Sequence, residues 1–122
     1  QGSQQGALVA MPLRKGDVVE FDFSPSTGHE PRGRRPGLVV SSDNFNLMTS
    51  MALVCLITAA SNGFPLHVAL PDDLDEAYGY VVTEQVRAYD LEARRPTVLA
   101  HLPEDGAFMR GITTLLSSYL QS

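Results

Sequence analysis

The 122-residue chain carries 43% apolar residues and a net charge of −5, a composition that fits one soluble globular domain with a modest core and excludes a disordered chain. No apolar run is long enough to span a bilayer and no signal peptide is evident, so a cytoplasmic protein without membrane attachment is expected. Cys55, the only cysteine, has no partner for an internal disulfide, and the acidic balance argues against a surface coated in positive charge for unselective nucleic-acid binding.

In chain order, residues 1–10 are set aside. Gln1-Gly2-Ser3-Gln4-Gln5-Gly6 reads as an expression scar, native sequence is expected to begin between Ala7 and Met11, and residues 11–122 form one domain. From Asp17 to Phe23 the pattern alternates, with Val19, Phe21 and Phe23 on one face and Val18, Glu20 and Asp22 on the other. That is the period of a half-buried strand. Ser24-Pro25-Ser26-Thr27-Gly28 is turn chemistry. Further strands are expected over Gly37–Ser41 and Ala52–Thr58, separated by a single helical turn capped by Asp43. Beyond Ser61-Asn62-Gly63 comes a strand from Pro65 to Leu70, with His67 pointing outward by alternation with Leu66 and Val68.

After the acidic run Asp72-Asp73-Leu74-Asp75-Glu76, a strand is expected from Gly79 to Gln85 and a continuation past a bend over Val86–Tyr89. Thr97–His101 supplies the last strand. Pro103 marks a helix start, with Glu104 and Asp105 suited to the positive end of the dipole. Phe108, Ile112, Leu115 and Tyr119 recur at helical spacing, widened by Leu116 and Leu120. Short strands closed by one helix predict a small, strongly bent barrel.

Eight of the nine cations are arginine, and six of these fall in two clusters: Arg32, Arg34, Arg35 and Arg87, Arg94, Arg95. Arginine's planar fork grips phosphate in a bidentate manner, so such a cluster can bind a phosphodiester even on an acidic protein. On composition alone, ion pairing with the many carboxylates is the simpler reading. The three histidines, His29, His67 and His101, have no metal-ligand spacing, and no metal or other cofactor is expected.

Three ordered segments tie these residues together: Gly16-Asp17-Val18-Val19 through Phe23-Ser24-Pro25, then Gly28-His29-Glu30 through Arg34-Arg35-Pro36, then Thr83-Glu84-Gln85-Val86-Arg87. With Asn44-Phe45-Asn46, Ile57-Thr58, Gly63-Phe64-Pro65 and Asp90-Leu91-Glu92-Ala93-Arg94, the set resembles the MazF/PemK family of toxin endoribonucleases from bacterial toxin–antitoxin pairs. The resemblance implies a mainly β fold with a C-terminal helix, a small SH3-like barrel of the CcdB/PemK (MazF) type, assembled as a homodimer. It implies metal-independent, sequence-selective cleavage of single-stranded RNA, leaving a 2′,3′-cyclic phosphate and a 5′-hydroxyl. Its partner is a cognate antitoxin with an acidic, partly disordered segment laid over the arginine loop.

The same resemblance places the catalytic residues at Arg35, Thr58 and Glu30. Glu84 stands where the family usually has aspartate, and it and His29 are further candidates for base or positioning. Metal-free cleavage uses the substrate's own 2′-hydroxyl as nucleophile, so the enzyme must loosen that proton, protonate the leaving oxygen and stabilise charge on phosphorus. Arg35 suits the last task through charge-assisted hydrogen bonds, and Pro36 biases its backbone to an extended form. Arg32, Arg34, Gln85 and Arg87 are expected to contact RNA, as is Phe21, in a first strand that lacks the tryptophan often found there in the family. For Arg87 and Arg94, pairing with Glu84, Asp90 or Glu92 is an equal alternative. Two other functions stay open: a non-enzymatic toxin of the same fold that binds DNA gyrase, and an inactive relative that only binds RNA or antitoxin.

Overall fold

The computed structural model describes residues 13–23, 33–60, 63–74 and 77–121. Among these, seven antiparallel strands make one sheet: β1 (Asp17–Asp22), β2 (Arg34–Val39), β3 (Ala52–Thr58), β4 (His67–Ala69), β5 (Tyr80–Val82), β6 (Arg87–Tyr89) and β7 (Thr97–His101). The order is β4-β5-β3-β2-β1-β7, and β6 pairs with β3 beside β5. β3 therefore meets β6 along Ala52–Val54 and β5 at Ile57–Thr58, and this shared edge bends the sheet around itself.

The bend buries β1 except at Glu20, whose side chain stays partly exposed. Val18, Val19 and Phe21 are fully buried, and Asp17 and Asp22 nearly so. The expected half-exposed strand is thus buried on both sides, because each side meets its own apolar cluster. Val18, Leu38, Cys55, Ile57 and Val81 pack beneath the C-terminal helix with Met109 and Ile112. Val19, Phe21, Val39, Val54, Tyr89 and Leu91 form the second cluster. Gly37 lies where a Cβ would stand 2.6 Å from Val54 Cγ1, so strands β2 and β3 approach closely there.

Several boundaries differ from the sequence reading. β2 begins at Arg34 rather than Gly37, since Arg34 and Arg35 pair with Asp22 and Phe21 of β1. α1 (Asp43–Thr49) runs seven residues, and its cap is Ser42, whose hydroxyl accepts from Phe45 N at 3.1 Å. Asp43 instead accepts from Lys15 N at 2.9 Å. The strand expected over Gly79–Gln85 stops at Val82, where Thr83–Gln85 winds into one 3-10 turn.

α2 (Ala107–Ser118) starts four residues after Pro103, with Gly106 as its N-cap and the Gly106 N–H bonded to Pro103 O at 3.1 Å. Its buried stripe is Met109 and Ile112, flanked by Phe108 and Leu116. Met109 replaces Leu120 in that role, Leu120 being 90% exposed beyond the helix end. No helix among the described residues is long and apolar enough to cross a membrane.

Candidate active site

Continuing the β2–β3 register outward from Gly37↔Leu56 brings Arg35 opposite Thr58 on one face of the sheet. Both line a cleft of about 510 Å³ together with Leu56, Phe64, His67, Val82, Glu84 and Gln85. Each element contributes by a local rule. Thr58 closes β3, and the 3-10 turn after β5 carries Glu84 and Gln85. The approach of β5 to Thr58 depends on Gly79, whose φ of +124° favours glycine and whose added Cβ would stand 2.5 Å from Thr58 O. Arg35 is exposed, its guanidinium 5.5 Å from the centroid of the Phe23 ring. A cation, a hydroxyl, a carboxylate and an amide thus share one open cleft, the groups needed to hold a phosphodiester and move a proton beside it.

His67 belongs to this cleft and not to the outward surface that alternation suggested. Its side chain is 8% exposed, and Nε2 lies 3.1 Å from Glu84 Oε2. The Phe64 ring meets it edge-on at 5.1 Å. The face that strand alternation turns outward is covered here by the Thr83–Gln85 turn and by Phe64. The only local hint was the Gly63-Phe64-Pro65 turn, which sets Phe64 and His67 three residues apart.

Arg34, Arg94 and Arg95 are engaged elsewhere. Arg34 sits across from Asp22 and reaches its Oδ1 at 3.0 Å. Its Nη2 also donates to Glu20 O at 2.9 Å, Arg95 O at 2.8 Å and Thr97 Oγ1 at 3.2 Å. Those bonds occupy the guanidinium expected to contact RNA. Arg95 holds Asp22 Oδ2 at 2.8 Å. The Arg95 hydrogen bond, with help from Arg34, keeps the Asp22 carboxyl below its ordinary range against the opposing effect of burial, and Asp22 in turn raises Arg95. Arg94 donates to Phe23 O and, at 3.2 Å, to Asp22 O.

Arg87 and Arg94 lie 5.7 and 5.1 Å from the Tyr89 ring centroid. Phe21 has no face to offer RNA, because it is wholly buried and packs on Tyr89 at 5.2 Å. Glu30, His29 and Arg32 lie outside the described residues. Among the described residues no three His, Cys, Asp or Glu side chains converge as a metal site.

With this geometry in view, residues 14–109 match the family described as PemK-like, MazF-like toxin of type II toxin–antitoxin system. The chain belongs to that family. Within it, the endoribonuclease toxin ChpB of Escherichia coli strain K12 is 42% identical over 90 residues, covering 67% of this chain and 73% of the relative. The endoribonuclease toxin MazF of the same strain is 35% identical over 82 residues, covering 67% and 72%. The crystal structure of MazF from Deinococcus radiodurans superposes with a TM-score of 0.74 at 33% identity, over 93% of this chain and 100% of that one. Family membership agrees with the expected fold class: a mainly antiparallel β protein with a C-terminal helix.

Proposed function

We propose that this member of a family of endoribonuclease toxins cuts single-stranded RNA selectively by sequence, without metal, through attack of the substrate's 2′-hydroxyl on its own phosphate. The products are a 2′,3′-cyclic phosphate and a 5′-hydroxyl. The observation that carries this reading is the convergence of Arg35, Thr58, Glu84 and Gln85 on one cleft from three separate parts of the chain. Arg35 grips the equatorial phosphate oxygens, where its charge is worth most as negative charge builds in the transition state. Thr58 donates its hydroxyl to the same phosphate. Glu84, the carboxylate that the described residues bring to the cleft, shares the base and positioning roles with Glu30, and Gln85 and Arg87 contact the strand beyond the scissile bond.

The working unit is a homodimer in the cytoplasm, held in check by a cognate antitoxin whose acidic segment covers the arginine loop. MazE–MazF assemblies from Deinococcus radiodurans, 30% identical with a TM-score of 0.74, offer the precedent for such a pairing.

The test is incubation of the protein with mixed-sequence single-stranded RNA in EDTA, beside a DNA control and an Arg35→Ala variant, followed by end-group analysis. Cleaved RNA with cyclic phosphate ends, lost in the variant, is expected. Intact RNA across many sequences together with gyrase inhibition overturns the proposal.

A further inference from the structure

Resting on the cleavage reading above, we propose that His67 is a positioning residue of this cleft: its Nε2–H holds the Glu84 carboxylate at the orientation from which it works. Glu84 needs such a hold. It sits on a single 3-10 turn at the cleft edge, at the end of a side chain with three rotatable bonds, and ordering such a side chain costs roughly 1.5–2 kcal/mol of rotamer freedom.

The juxtaposition of His67 and Glu84 is built by a double clamp. One residue before Glu84, the buried Thr83 donates its hydroxyl to the carbonyl of Leu66, one residue before His67, at 2.7 Å. With that hydroxyl proton spent, the Tyr119 O–H at the end of α2 donates to Thr83 Oγ1. The Thr83–Leu66 and Glu84–His67 contacts therefore run side by side, tied to the C-terminal helix. β4 and β5 add the register His67↔Val82, and the edge-on Phe64 ring limits rotation of the imidazole.

The ring's other nitrogen decides the polarity of the bond. Nδ1 is buried and has no hydrogen-bond partner among the described residues. A proton there would be a buried unsatisfied donor, which costs about 1–3 kcal/mol. The neutral ring thus keeps its proton on Nε2, facing Oε2, and leaves a lone pair on Nδ1. In that tautomer His67 donates to one carboxylate oxygen of Glu84 and leaves the other for substrate.

The test compares His67→Leu and His67→Gln with wild type and with Glu84→Gln. Loss of the hold is expected to lower kcat on the order of 10²-fold, as small misplacements of catalytic groups do, with KM nearly unchanged. His67→Gln keeps an amide donor at similar reach and should recover most of the rate. In a Glu84→Gln background, His67→Leu should add no further loss in kcat. Thermal melting of each variant separates this from a merely structural contact. Unchanged kcat in a folded His67→Leu protein, or equal losses in both backgrounds, overturns the proposal.

A readout independent of cleavage is the nitrogen-15 spectrum of the imidazole, which should show a protonated Nε2 whose shift moves in Glu84→Gln. An imidazole spectrum indifferent to Glu84→Gln overturns the positioning role even if RNA is cut. Absence of RNA cleavage by wild type, with the spectrum as expected, falls on the proposed function instead.

Discussion

Around Asp22, Arg34 and Arg95 converge on a nearly buried carboxylate while Arg94 reaches the neighbouring backbone carbonyls; at the cleft, Arg35 extends over Phe23 toward open space beside Thr58, Glu84 and Gln85. Arg34 and Arg35 are adjacent in the chain, yet strand alternation puts them on opposite faces of β2. On the Asp22 side every guanidinium fork meets oxygen acceptors inside the fold. On the cleft side the cation faces a space shaped for a ligand. Counting arginines says how much positive charge a protein has; the pleat of one strand says which of it is available to a phosphate.

The sharpest way to break that contrast is to truncate the two neighbours separately. Arg35→Ala should lower RNA cleavage roughly 10²–10³-fold, the usual effect of removing one transition-state donor, with an unchanged melting temperature. Arg34→Ala should do the reverse: a lowered melting temperature, with residual folded protein cutting at near wild-type rates. Equal activity losses in kinetic assays of the two folded variants would erase the distinction.

Phe21→Ala probes the neighbouring strand β1, where Phe21 pairs with Arg35. Removing a fully buried aromatic should cost about 3–5 kcal/mol in denaturant unfolding and leave the cleavage sequence of the folded fraction unaltered. A changed cleavage motif in a stable variant would restore Phe21 to the RNA.

Acid titration sharpens the Asp22 side. A carboxylate whose native pKa is lowered stabilises the fold fully above its unfolded value, about 3.9, and loses that contribution as pH falls through the native value. Asp22→Asn should therefore melt lower than wild type at neutral pH and lose less on acidification below about pH 4. Parallel melting curves for the two proteins across that range would contradict the role given to Arg95 and Arg34.

The smallest effect concerns Cys55, behind the cleft wall. Burial, aided by the Glu84 carboxylate, pushes its thiol up to about 12. Alkylating reagents should leave the native protein unmodified at neutral pH and label it only once it is unfolded. Labelling of the folded chain in a mass measurement would show that this wall opens.

Much of the fold was legible from local chemistry. The expected bounds of β7, Thr97–His101, are the observed ones, because a short apolar run between Pro96 and Pro103 needs no distant partner to be recognised. The start of β2 was not, since Arg34-Arg35-Pro36 resembles a loop until β1 is placed beside it. Within the site, Arg35, Thr58, Glu84 and Gln85 were picked out by their motifs, and the structure brings all four together. Alternation places His67 on the surface, whereas the structure covers it with Phe64 and with Glu84, 17 residues further on.

Local pattern marks roughly where the strands and turns fall, the final helix, and the loop in which an arginine before proline stands out. Periodicity and turn chemistry act over a few residues, so one strand of text is enough to read them. Which arginine is left to the cleft depends on contacts between distant parts of the chain. Arg34 is satisfied by Arg95 and Thr97, more than sixty residues away, and the turn bearing Glu84 is pinned by Tyr119, 36 residues beyond Thr83. Those partners meet only when the sheet bends, and hydrogen bonds between distant residues leave no periodic trace in the chain that makes them.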